Sequence, residues 1–221
     1  MSTHGTKHSA LVRIARDPVS RRRFLAVGGA AGAVGTFLAA CGGSGGGTTS
    51  TTSTAAASDA LAQFGKGDLG IVNYALTLEY LEAAFYADAE RSGLFTGSDL
   101  ALIKAIRSNE DAHVLALEGT AKKLGTPAPK PKTQFPIQNR QQVLKLAATV
   151  ENLGAAAYLG QAASIQSAEI LAAALAIHTV EARHASALNT LTGQPFTPDG
   201  AFAVPAQPKD VLDQVKPFIA S

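Results

Sequence analysis

Residues 126–138 read TPAPKPKTQFPIQ. Four prolines in that run exclude a helix, because each ring removes a backbone N–H and clashes with the preceding turn. On both sides lie long stretches rich in Ala and Leu, with little Val/Ile alternation, which favour helix over sheet. A helix of about 25 residues is ~37 Å long at ~1.5 Å per residue. The thirteen residues of the Pro-rich run, fully extended, reach at most ~45 Å. The segment can therefore run the length of a helical bundle and begin the next helix at the opposite end. A simple up-down-up-down bundle would not need it.

Punctuation marks four helices. The first runs from about Asp68 to Ser92 and stops at Gly93; the second follows Thr96-Gly97-Ser98 and ends near Gly125-Thr126-Pro127. The third runs from about Asn139 to Ala163, and the fourth from about Ser167 to Leu191, closed by Gly193 and Pro195. Short turns after the first and third make each of those pairs antiparallel neighbours. The expectation is an all-α four-helix bundle over residues 60–195, with one long crossover between helices 2 and 3. The extension 196–221 carries a short amphipathic helix near Lys209–Phe218 that should pack over the bundle.

Stepping by three and four along each helix gives its core stripe. Helix 1 yields Leu76, Glu79, Ala83 and Tyr86; helix 2 yields Ile106, Glu110, His113 and Leu117. Helix 3 yields Leu144, Ala147, Glu151 and Tyr158, and helix 4 yields Ile177, Glu181, His184 and Leu188. Every stripe contains a glutamate. Glu151 is the only acidic residue between Glu118 and Glu169, and Glu181 the only one between Glu169 and Asp199. Buried, unpaired carboxylates are costly, and four together repel. Two divalent cations would remove both problems. The chain also repeats itself: a lone Glu seven residues before a Tyr, then a Glu-x-x-His, occurs twice. Such a repeat implies a site of approximate two-fold symmetry. It leaves open which glutamates bridge the ions and which bind only one.

The inventory resembles the di-iron and di-manganese carboxylate sites of ferritin-like proteins, whose connectivity also includes one long crossover. NYALTLEYLEAAFYADA, TQFP and ENLGAAAYLG are similar to the bacterial ferritin-like domain family that includes desiccation-related proteins, over roughly residues 65–195. The resemblance implies six ligands, Glu79, Glu110, His113, Glu151, Glu181 and His184, for two iron ions or two manganese ions. The competing view, glutamates in surface ion pairs, fits poorly with core stripes and with the scarcity of Lys and Arg in helices 3 and 4. Glu82 rivals Glu79 but lies one helical step off the Tyr86 stripe, so it is expected in solvent or beside the ligands. His178, three residues before Glu181, is expected beside them or as an extra ligand. Tyr86 and Tyr158 either hydrogen-bond ligand carboxylates or fill core.

The front of the chain reads as an address. Ser20-Arg21-Arg22-Arg23-Phe24-Leu25 resembles the twin-arginine export motif, and an apolar run to Ala40 follows that is too short to span a bilayer. Leu38-Ala39-Ala40-Cys41 resembles a lipobox, so residues 1–40 are expected to be a signal peptide and Cys41 a lipidated N-terminus. Residues 41–59, rich in Gly, Ser and Thr, should form a flexible tether. The expected location is the extracytoplasmic face of the cell membrane. The formal charge of +2 is misleading, since beyond residue 40 there are 13 basic and 16 acidic groups. With no basic stripe or aromatic ladder, nucleic acid is not a partner. Haem is excluded by the lack of any Met after Met1 and of Cys-x-x-Cys-His.

These readings point to a tethered di-metal protein using O2 or a peroxide as a ferroxidase-type oxidoreductase, with homodimerisation left open. A closed storage cage suits the tether poorly. The alternative is a non-catalytic stress, scaffold or binding bundle with structural metal or none.

Overall fold

A computed structural model describes residues 60–220. The proposed export signal, Cys41 and the whole tether lie outside them. The α-helices are α1 (Gly67–Arg91), α2 (Gly97–Leu124), α3 (Arg140–Gln161), α4 (Ala168–Leu191) and α5 (Pro208–Val215). The described residues contain no strand, only an isolated bridge between Thr133 and Ile219. None of their helices is long and apolar enough to cross a membrane.

Local chemistry sets the ends. Gly93 takes φ 72°, a left-handed conformation costly for other residues, and turns the chain out of α1. The Asn139 side chain accepts from the Gln142 N–H at 3.0 Å and caps α3, and Ser167 does the same for α4 through the Ile170 N–H at 3.3 Å.

Helix α1 packs along α2, and α3 along α4. Leu144, early in α3, shares a core cluster with Phe85 and Tyr86, late in α1. Ala157, late in α3, lies with Tyr74, early in α1, so these two helices are antiparallel. Arg140 Nε donates to Asp99 at 2.6 Å, bringing the first turns of α3 and α2 together. At the other end Asn73 receives the chain leaving α2: its Nδ2 donates to the Thr126 carbonyl at 3.0 Å and its Oδ1 accepts from the Ala128 N–H at 2.8 Å. The Pro-rich segment therefore travels the length of the bundle, as its composition demanded. Phe135, toward its end, packs edge-on against Phe85.

The C-terminal extension does pack over the bundle, and it changes α1. Val211 and Val215 of α5 cover Tyr74, Leu78 and Leu81, so α1 is buried nearly all round rather than along one stripe. The extension lies close on α3, where the Ala206 N–H donates to the Ala156 carbonyl at 2.9 Å. A side-chain carbon at Gly160 would run into the Ala206 carbonyl oxygen.

Candidate metal centre

Glu79 sits midway along α1 and Glu151 midway along α3, while α2 carries Glu110 and His113 and α4 carries Glu181 and His184. A separation of three residues places each Glu and its His one turn apart on one face. The four glutamates are 0% exposed, and His113 and His184 are 9% and 7% exposed.

The six side chains form two overlapping groups. Glu79, Glu110, His113 and Glu181 make one, and Glu110, Glu151, Glu181 and His184 the other; within each, one donor atom per residue lies within 4.8 Å of all the rest. Glu110 and Glu181 belong to both. The paired motifs thus supply the shared carboxylates, and the lone glutamates serve one group each, which the sequence had left open.

One ring nitrogen carries far more than it can satisfy. His113 Nδ1 lies 3.3 Å from Glu79 Oε2, 3.0 Å from Glu110 Oε2 and 3.1 Å from Glu181 Oε1, yet it has a single proton or lone pair to offer. His184 Nδ1 is shared between Glu110 Oε1 at 3.0 Å and Glu151 Oε2 at 3.2 Å. Glu110 Oε1 and both oxygens of Glu181 are buried without a properly directed hydrogen bond. Carboxylate oxygens converging with imidazole nitrogens, several of them orphaned, fit bound metal cations.

Both tyrosines act across the bundle. Tyr158 donates to Glu79 Oε1 at 2.5 Å, and Tyr86 to Glu151 Oε1 at 2.6 Å. Each therefore orients the lone glutamate of the opposite half while also filling core. Asn109, which the sequence gave no reason to select, lies with Nδ2 2.9 Å from His184 Nε2. His178 is not in either group; its Nδ1 faces the Ala155 carbonyl at 3.0 Å.

Glu82 requires a correction. Solvent was one of its two expected settings, but it is only 2% exposed, and its Oε2 has no partner. The physical reason is α5, which covers the side of α1 that a four-helix reading leaves open.

Protons bring this cluster toward charge balance. Burial disfavours a charged His113, but Glu110, Glu181 and Glu79 outweigh it and push the imidazole up to about 12. His184 is raised to about 10 against its burial, by Glu110 and Glu151. Burial pushes Glu110 up too, but the two histidines hold it at about 2. Burial, reinforced by neighbouring carboxylates, raises Glu181 to about 8 and carries Glu79, Glu82 and Glu151 upward as well. Burial and the adjacent carboxylates also keep Tyr86 and Tyr158 as neutral donors.

A cavity of about 340 Å³ opens where α1 and α4 begin. Val72, Ala75, Leu117 and Ala174 wall it, and Tyr158 forms part of its lining. Tyr158 is 7% exposed where its counterpart Tyr86 is 0%. The cavity therefore reaches the residue that holds Glu79.

The sequence profile of the ferritin-like domain matches residues 67–194, more than half of the chain. No curated protein matches the chain.

Proposed function

The chain belongs to the ferritin-like domain family, and from that premise we propose that it is a resident di-metal protein, with iron or manganese, acting on O2 or a peroxide as a ferroxidase-type oxidoreductase. The observation that carries this reading is the pair of buried donor groups sharing Glu110 and Glu181. Glu79 and His113 would hold one ion, Glu151 and His184 the other. Bound there, the ions supply one-electron redox chemistry and sites for an oxygen ligand.

The chain's own part is to bind, orient and exclude. Tyr158 and Tyr86 fix the outer oxygens of Glu79 and Glu151, leaving Oε2 of each turned toward a histidine. The interior position of all four glutamates keeps bulk water from competing for them. The apolar cavity against Tyr158 suits a small apolar oxidant such as O2 better than a charged substrate. A scaffold without metal would leave four fully buried carboxylates to be balanced by protons and two imidazoles alone, at a cost in stability.

We extend the proposal to location and type. The twin-arginine and lipobox resemblances support a protein anchored outside the cell membrane through Cys41, and the α1 and α3 segments support kinship with the desiccation-related type. Elemental analysis of the purified protein beside a Glu110→Ala/Glu181→Ala variant tests the metal. Two ions of iron or manganese per chain, lost in the variant, are expected. No metal in either after loading under reducing conditions would leave the scaffold reading instead. Release of labelled fatty acid from the wild type but not from Cys41→Ser tests the anchor.

A further inference from the structure

The α1 and α3 sides of the site repeat with a fixed offset. Glu79 and Tyr86 on α1 correspond to Glu151 and Tyr158 on α3, 72 residues on, and the same offset takes Glu82 to Gly154. The halves disagree there: a carboxylate on one side and no side chain on the other.

The disagreement is structural as well as sequential. A carbon built at Gly154 would lie 2.8 Å from Glu82 Oε1 and 3.0 Å from Glu181 Oε2. The missing side chain of α3 is thus the space into which the Glu82 carboxylate reaches, beside one of the two shared glutamates. Glu82 Oε2 and Glu181 Oε2 are buried and unpartnered. Among the described residues no cationic side chain pairs with Glu82. Two neighbouring carboxylates with orphaned oxygens and a glycine cut away between them make a place for a cation, on the α1–α3 side of the cluster.

We propose that Glu82 is a seventh donor of the di-metal centre, a fifth carboxylate that reaches the ions through the space left by Gly154. The proposal rests on the di-metal reading above. Its consequence is charge. Four carboxylates balance two divalent ions; a fifth leaves surplus negative charge, which favours a more oxidised pair and holds it in place. The centre is then built to keep its metals through a redox change, as a cofactor rather than a station for ions in transit.

The test uses the full chain, titrated with Co2+ alone and then loaded with iron. For Glu82→Gln we expect one of two Co2+ ions to bind about tenfold more weakly or worse, the range for losing a ligand or its support. The Co2+ visible spectrum should change, and the midpoint potential of the iron-loaded site should rise. Gly154→Ala keeps all seven donors but fills the space, and should weaken the same ion; it also covers the case in which Glu82→Gln misfolds. Two Co2+ ions bound by Glu82→Gln with wild-type affinity, spectrum and potential would make Glu82 a buried acid and nothing more, with the di-metal reading intact. Failure of the wild type itself to bind Co2+ would overturn both.

Discussion

Stripped of metal by a chelator, the protein should lose stability as pH rises from 5.5 to 7.5. Glu181 titrates near 8 in the fold against an ordinary carboxylate value near 4.5, and Glu79, Glu82 and Glu151 move in the same direction. His113 and His184 are raised to about 12 and 10. Each of these groups binds its proton more tightly folded than unfolded. Their stabilisation is full below the unfolded pKa and is lost as pH climbs toward the folded one. Glu110, held at about 2, has the opposite sign, but its contribution is already complete above the ordinary carboxylate range. Every proton bound in excess by the folded state costs about 1.4 kcal/mol per pH unit. One net proton over these two units therefore removes ~3 kcal/mol, a large share of a typical ~5–15 kcal/mol. Urea denaturation followed by far-UV circular dichroism at fixed ionic strength measures it directly. Excess Mn2+ should oppose the loss, because metal takes the place of the protons and binds better as pH rises. Stability that is level or rising across the window in the stripped protein would refute the reasoning, since it would mean these carboxylates do not share a buried cluster.

Three further outcomes follow from single contacts. Tyr158→Phe leaves Glu79 Oε1 without its 2.5 Å donor and should cost about 1–2 kcal/mol in urea denaturation, with weaker metal retention on dialysis. Ala174→Phe places a ring in the cavity beside Tyr158; stopped-flow reoxidation by O2 should slow while metal content by elemental analysis stays at the wild-type level. Val211→Ala removes a fully buried contact between α5 and α1 and should cost ~2 kcal/mol of burial, read as a lower urea midpoint.

What could be read from the chain was whatever depends on local geometry. Proline chemistry in residues 126–138 excludes a helix wherever it occurs and leaves a segment long enough to cross the bundle. A Glu-x-x-His step puts both side chains on one helical face in any context, so the six residues that meet in the core were visible as three-and-four spacings. The division of labour among the glutamates was not visible. It depends on the relative rotation of α2 and α4 about their axes, which brings Glu110 and Glu181 into both donor groups. Asn109 was equally hidden, because its contact crosses from α2 to His184 on α4.

Glu82 shows the limit of stripe reasoning. An amphipathic stripe assumes that whatever lies off it meets water, and that holds only while the back of the helix is bare. Here residues more than a hundred positions later fold over α1 and place Val211 and Val215 on its outer face, so an off-stripe glutamate ends at 2% exposure. The internal repeat held a clue that the stripe did not. Superposing one half of the sequence on the other at an offset of 72 matches Glu79 with Glu151 and Tyr86 with Tyr158, and sets Glu82 against Gly154. A pseudo-symmetric site cannot place two large side chains at one point between adjacent helices. One half must yield the space, and a glycine opposite a charged residue marks which half has done so. In a duplicated helical site the mismatched pair therefore carries as much information as the matched ones, because it shows where the two donor groups are free to differ.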